Sequence, residues 1–284
     1  MRKRKLIIYS LLFLIIYTSK AQDYVKVDSI VKNEFTSFSN PDKLASEINK
    51  QFQTEEEKAR AIYTWIALYI KYDVSALRKK SKNITYTYRT TEEKETKEKK
   101  NFYRSVVQSM KKKKGVCEDY ANLFQYLCDQ TGIKCAIIHG TAKTLLQDIG
   151  ILPTTSNHAW NAVCIGTEWK LIDVTWGAGY INEANTYIHD FTDTYFFLNP
   201  EKFAYNHYPT DSKWLLTPLS PDEFANLPLY FRNFFDSGLE VIEPINGIIK
   251  LFGQKRIILK MKNPNNHTLM IKFNNEPYAY AITP

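Results

Sequence analysis

Cysteine is scarce in this chain, with four in 284 residues. Cys117, Cys128, Cys135 and Cys164 form no CxxC pair, and no HxxxH accompanies them. That excludes a disulfide scaffold and the ligand spacings of a structural zinc site. A Cys128, Cys135 and His139 cluster lacks a fourth ligand, so neither a metal nor another cofactor is expected. Long apolar runs are absent after the first 21 residues, which excludes a later membrane span, since that needs about 20 apolar residues. Internal repeats are absent too. Acidic residues are missing from residues 1–21, which hold five basic ones; without that stretch 33 basic face 30 acidic residues, a net of +3. So small an excess offers no case for nucleic-acid binding.

What is present at the start is a basic cluster, Arg2 to Lys5, then an apolar run from Leu6 to Tyr17, then Ser19-Lys20-Ala21. That layout predicts a secretory signal peptide over residues 1–21, cleaved before Gln22, because the run is too short for a spanning anchor. The protein is therefore expected to be exported, to a periplasm or the medium, with no stable membrane span after cleavage. The remaining 263 residues suit one average-to-large domain and a small second one. The texture divides them at residues 22–235 and 236–284.

Along the chain, residues 23–50 read as one or two short helices. Thr54 with Glu57 forms a capping box, and Ala61, Ile62, Trp65, Ile66, Leu68 and Tyr69 recur at helical spacing up to Tyr72-Asp73. Residues 78–114 are rich in Lys and Glu and read as a solvated loop with a short helix at 102–110. A helix is predicted from Cys117 through Leu127 with Tyr120, Leu123, Phe124 and Leu127 as its apolar stripe, and Gly132 as its C-terminal cap. Strands are predicted at 134–139, 158–165 and 169–175. The aromatics from Tyr187 to Trp214 read as packing residues. Short strands at 239–242, 247–252, 256–262 and 269–273 then suggest a small β module, with too few strands for an immunoglobulin sandwich.

Cys117 stands in the first turn of its predicted helix, where unpaired N–H groups and the macrodipole favour a thiolate. A nucleophilic thiol needs a base near in space. His158 opens one strand and Asp173 closes the next. With a turn at Ile165-Gly166, His158 faces Asp173; with a turn at Gly166-Thr167, it faces Thr175 and Asp173 is a diagonal neighbour. In both registers His158 and Asp173 share a face, whereas a one-residue slip separates them. Asp173 can then hold the imidazole in one tautomer and stabilise its charged form. His139, His189, His207 and His267 lack a comparable acidic partner in the sequence and read as structural. The other three cysteines read as inert thiols or one disulfide.

Gly115-Val116-Cys117-Glu118-Asp119-Tyr120-Ala121, Asn157-His158-Ala159-Trp160-Asn161 and Leu171-Ile172-Asp173-Val174-Thr175-Trp176 resemble the three core motifs of the transglutaminase-like superfamily, in the same order. Tyr195 to Pro200, His207-Tyr208-Pro209 and Trp214-Leu215-Leu216 resemble the segment after the core in its kyphoscoliosis-peptidase and cytokinesis-protein branch. The resemblance covers about residues 55–220. It implies a papain-like α+β core, with the Cys-bearing helix packed on an antiparallel sheet. It also implies Cys117 as nucleophile, His158 as base, Asp173 as orienting acid, and chemistry through a thioester. Family activities include peptidases, crosslinkers and deamidases, and some members only bind. The oxyanion donor is either the Cys117 N–H or an upstream side chain. No calcium loop is present, so calcium-dependent crosslinking is not supported.

The expectation is thus a cysteine-peptidase-like or transglutaminase-like acyl transferase acting on a peptide or protein substrate, with hydrolysis favoured over crosslinking. Trp160 and Trp176 are candidates for its cleft. The alternative is a non-catalytic envelope or surface binding module on the same fold. Oligomeric state is open.

Overall fold

The structure is a computed structural model that describes residues 24–77, 87–249, 258–271 and 280–282. The expected signal at 1–21 and residues 250–252 of the expected strand at 247–252 lie outside these residues, and 247–249 are not in a strand. The described part of the N-terminal third is mainly helical. Helix α1 (Tyr24–Glu34), α2 (Pro41–Gln51) and α3 (Glu55–Tyr69) pack together, with α1 and α2 each lying against α3. Asn40 caps α2, and Thr54 caps α3 in the expected capping box with Glu57. Helix α3 is buried nearly all round, with Ile62, Trp65 and Ile66 at 0 % exposure. Each such aliphatic side chain contributes about 1.5–3 kcal/mol by leaving water.

The charged stretch differs from expectation. Helix α4 runs from Thr91 to Lys112, 22 residues rather than the short helix expected at 102–110. Thr90 caps it, and Glu93–Lys97 and Lys94–Glu98 pair at i,i+4 spacing. Each such pair contributes only about 0.2–0.5 kcal/mol, but Val106 and Met110 bury the last turns against the core. Solvated charge and helix are compatible because the charges occupy the outward face.

Helix α5 (Cys117–Thr131) is central, packing against α2, α3, α4 and the sheet. Gly132 ends it at φ +78°, a left-handed cap as expected. Four antiparallel strands follow: β1 (Cys135–Ala142), β2 (His158–Ile165), β3 (Glu168–Ile172) and β4 (His207–Pro209), in spatial order β3-β2-β1-β4. Ile165 pairs with Glu168, so Gly166 and Thr167 make the hairpin turn. The second of the two registers is therefore the one adopted.

The strand expected through Thr175 stops at Ile172. Val174–Ala178 is instead a short helix, α6, because Asp173 turns its carboxylate to accept the Trp176 N–H at 3.0 Å. The later aromatics pack as expected: Tyr195, Phe196 and Phe203 are buried. In the C-terminal stretch, Glu240–Glu243 pairs with Lys260–Lys262, and Leu269–Ile271 with Tyr280–Ile282. Among the described residues, neither hairpin joins the main sheet.

Candidate functional site

Cys117 is the first residue of α5 and is half-buried. The local sequence explains its placement. Asp119 folds back to accept the Val116 N–H at 2.9 Å, and Gly115 makes room, since a Cβ there would lie 2.5 Å from that of Asp119. The preceding Lys114–Gly115 runs parallel to Lys71–Tyr72. Asp73 locks this crossing: its N–H donates to the Gly115 carbonyl at 2.8 Å and its carboxylate pairs with Lys114 at 3.1 Å. Hydrogen bonding from Ser75, then Lys114, holds the Asp73 carboxyl down at about 2.

The crossing places the Tyr72 phenol at the Cys117 backbone N–H. Burial pushes that phenol above its ordinary range, with the Cys117 side chain and Asp173 adding to the effect. Tyr72 was missed in sequence because 45 residues separate it from Cys117 and nothing local marks it.

His158 begins β2, opposite Gly140. A Cβ at Gly140 would come 2.5 Å from the Trp160 ring and 2.3 Å from the Tyr208 carbonyl. Glycine is thus required for Trp160 to pack beside His158. The His158 Nε2–H donates to Asp173 Oδ2 at 2.7 Å, and the ring also hydrogen-bonds the Cys117 side chain. Burial disfavours charge on the ring. The Asp173 carboxylate and the contact with Cys117 outweigh burial and push His158 up to about 10. Asp173 is itself fully buried, which alone would raise its pKa, but His158 and then His207 hold it well below the ordinary carboxylate range. The structure therefore brings Cys117, His158 and Asp173 together, with an ionised Asp173 and a charged imidazole across neutral pH.

Two histidines read as structural have acidic partners after all. His207 Nε2 lies 3.0 Å from the same Asp173 oxygen, and His139 Nε2 lies 2.9 Å from Glu118. Both partners come from other elements, so the sequence could not show them. The only hint for His207 was its place in the His207-Tyr208-Pro209 segment. His158, Asp173 and His207 offer ligand-type atoms within 4.8 Å of one another, the one such group among the described residues. Both Nε2 atoms already meet Asp173, so the charges balance without a cation.

The two tryptophans separate. Trp160 is 2 % exposed and packs on Phe203 and both imidazoles; it is core, not cleft wall, because Ile138, Ala162 and Leu171 enclose the same sheet face. Trp176 is half-exposed, 5.6 Å from His158 ring to ring, and stands at the site's rim. All four cysteines are unpaired. Cys128 is buried and hydrogen-bonded to Cys135, and burial pushes its thiol well up.

Beside the site lies an open groove of about 540 Å³ between Ile137, Ile138 and His139 on one wall and Thr210, Asp211 and Trp214 on the other. It exists because three-residue β4 pairs only with Gly140–Ala142. Among the described residues no strand covers the edge of β1 from Cys135 to Ile138, while the His139 carbonyl accepts the Thr210 N–H at 2.9 Å. The His139–Glu118 contact links this groove to the residue following Cys117.

Comparison with known proteins finds relatives of this chain. Human kyphoscoliosis peptidase is 27 % identical over 241 residues, covering 84 % of this chain and 33 % of that protein. Cytokinesis protein 3 of Saccharomyces cerevisiae is 28 % identical over 130 residues, 42 % of this chain and 14 % of its own length. The chain thus spans about a third of kyphoscoliosis peptidase. A crystal structure from Cytophaga hutchinsonii, described as a candidate cysteine protease, superposes with a TM-score of 0.32 at 21 % identity, covering 54 % of this chain and 39 % of that one. Residues 42–174 match the transglutaminase-like superfamily. Residues 42–174 thus form a transglutaminase-like superfamily domain, and the relatives of this chain include kyphoscoliosis peptidase and cytokinesis protein 3, the branch that its later motifs resemble.

Proposed function

We propose that this protein is an exported thiol-dependent acyl-transfer enzyme acting on peptide or protein amides, with hydrolysis as its main outcome. The observation that carries the reading is one chain of contacts. Cys117, half-exposed at a helix N-terminus, touches His158, whose other ring nitrogen is held by a fully buried carboxylate. In this scheme Cys117 Sγ, its proton already held on His158 Nδ1, attacks the amide carbonyl as a thiolate. The imidazolium then protonates the leaving amine as the C–N bond breaks, leaving a thioester. Water, deprotonated by His158, displaces the sulfur and releases the acid. Hydrolysis is favoured over crosslinking because water is always present and no feature marks an amine-acceptor site.

Three further observations support the scheme. The open β1 edge suits an extended peptide, whose backbone can pair with it. The relatives named kyphoscoliosis peptidase carry peptidase in their name. The basic, apolar and small-residue layout of residues 1–21 supports export.

The test is alkylation of the mature protein by iodoacetamide across pH, with modified sites read by mass spectrometry. An ordinary thiol has a pKa of about 8.5. We expect Cys117 to label rapidly well below that pH and His158→Ala to abolish the fast phase. Slow labelling of Cys117, equal in both proteins, would overturn the proposal and favour a binding module.

The Tyr72 phenol oxygen accepts the Cys117 N–H, which leaves its own O–H beside Cys117 as a donor for the carbonyl oxygen that would become an oxyanion. Loss of one such donor costs about 10²–10³ in rate. Tyr72→Phe is therefore expected to slow acylation of Cys117 by a p-nitrophenyl ester by about 10²-fold. Iodoacetamide labelling, which forms no oxyanion, should change little. Equal losses in both reactions would show that Tyr72 does not act on the oxyanion.

A further inference from the structure

We infer that His207 is a fourth, positioning member of this site, an imidazole that donates to Asp173 and holds its carboxylate for His158. The inference builds on the proposed function.

Asp173 Oδ2 receives two rings, His158 at 2.7 Å and His207 at 3.0 Å, while Oδ1 receives the Trp176 N–H at 3.0 Å. His207 is 1 % exposed and enclosed by Phe203 and Trp176, at 4.2 and 4.4 Å between ring centroids. Its other nitrogen lies 3.2 Å from the Phe203 carbonyl. Burial lowers its pKa, with Asp173 opposing in part, so the ring is neutral and has one N–H to give. Of the two acceptors the carboxylate is the stronger and the nearer, and the charge-assisted bond takes the proton. This fixes His207 as the Nε2–H tautomer. The other titratable groups facing Asp173 are His158 and the phenols of Tyr63, Tyr72 and Tyr195, which burial keeps neutral.

The arrangement has a use in turnover. When His158 passes its Nδ1 proton to the leaving amine, it becomes neutral, and Asp173 loses the positive charge facing it. The carboxylate stays buried. The donors left beside the now neutral His158 are His207 and the Trp176 N–H, and they keep Asp173 from drawing the Nε2 proton off His158. His207 reaches this position from β4, at the opposite edge of the sheet from β3, which leads into Asp173. One short strand thus both leaves the β1 edge open and supplies the second imidazole.

A packing role and a positioning role predict opposite orders for two variants. His207→Phe keeps the ring and removes the donor; His207→Gln keeps a donor and removes the ring. Loss of a hydrogen bond to a charged group shifts an equilibrium by about tenfold or more. Iodoacetamide labelling of Cys117 near pH 6 is therefore expected to slow about tenfold in His207→Phe, with its acid limb displaced, and by clearly less in His207→Gln. Phe matching wild type, or Gln faring as badly as Phe, would overturn the inference. A second measurement needs no variant and no reactivity. The ¹⁵N shifts of the wild-type histidines should report His207 protonated at Nε2. Protonation at Nδ1, toward Phe203, would overturn the inference even if the protein is folded and active. Conversely, an Nε2–H tautomer in a protein whose Cys117 labels slowly would leave the hydrogen bond standing and remove the enzyme reading.

Discussion

Asp173→Asn is expected to reduce acylation of Cys117 by a p-nitrophenyl ester at neutral pH by roughly 10⁴-fold, the loss typical of a triad whose orienting carboxylate becomes an amide. The fold should survive, because Asn caps a helix nearly as well as Asp and can still accept the Trp176 N–H that Asp173 accepts at 3.0 Å. What disappears is the charge. Burial lowers the His158 pKa, and it is chiefly Asp173 that reverses this and pushes the ring up to about 10. With a neutral amide opposite, burial prevails and the ring loses its proton near neutral pH.

The same shifts give a stability prediction with a definite sign. His158 is raised from an unfolded value of about 6.5, so its contribution is complete below that pH and disappears as pH climbs toward about 10. Asp173 is depressed, so its contribution is present above an unfolded value of about 4 and is lost as pH falls through its lower folded value. The two overlap between about pH 4 and 6.5, where the melting temperatures of wild type and Asp173→Asn should differ most. The gap should narrow toward pH 10. A gap that stays constant from pH 5 to 10 would show that the ion pair does not form, and unchanged acylation would remove Asp173 from the mechanism.

The second large effect lies at the other end of the domain. Asp28→Ala should destabilise the protein by about 3–5 kcal/mol, the usual consequence of leaving a buried charge without its main partner; Asp193, 3.7 Å from Arg60, is largely exposed and a weak substitute. Arg60 is 1 % exposed and grips Asp28 with two bonds, Nε to Oδ1 at 2.9 Å and Nη2 to Oδ2 at 2.7 Å. Thr64 adds a third at 2.6 Å. The guanidinium also lies 4.8 Å from the Tyr24 ring and 5.0 Å from Phe196. This cluster fastens α1 to α3. In a chain of this size the loss corresponds to a fall in melting temperature of about 10 °C or more. The double variant Asp28→Leu with Arg60→Met should recover most of it, since an apolar pair fills the space without desolvating charge. An Asp28→Ala protein that melts within about 2 °C of wild type would refute the buried-pair argument. The prediction also bears on processing. The helix carrying Asp28 starts at Tyr24, directly after the expected cleavage site, so a mature chain trimmed only a few residues further would lose part of its core.

Surface charges behave differently. Glu93–Lys97 and Lys94–Glu98 are half-exposed or exposed pairs on α4, and exposed pairs contribute about 0–1 kcal/mol. Their importance is local, in keeping residues 91–112 helical where the composition alone suggested loop. A charge run has the composition of solvated chain, and a solvated face is also what the outer side of a helix presents.

The amino-acid sequence by itself determined whatever depends on short-range physics. The capping box at Thr54 and Glu57, the stripe Tyr120, Leu123, Phe124 and Leu127, and the glycine cap at 132 all appear in the structure where local spacing put them. The shared face of His158 and Asp173 followed from strand alternation, which is a two-residue period. The resemblance to the transglutaminase-like superfamily followed from three motifs in order. Tertiary structure alone decided what depends on which distant elements meet. Strand pairing chose the Gly166-Thr167 turn over its alternative. Capping by Asp173 turned Val174–Ala178 into helix, since one carboxylate had to satisfy both a backbone N–H and an imidazole. Packing under the sheet made Trp160 core and left Trp176 at the rim. The crossing of Lys71–Tyr72 with Lys114–Gly115 brought Tyr72 to Cys117, and the short pairing of β4 brought His207 to Asp173 across 34 residues. No periodicity encodes such meetings, because they arise from the order of strands in a sheet and not from the spacing of residues along the chain.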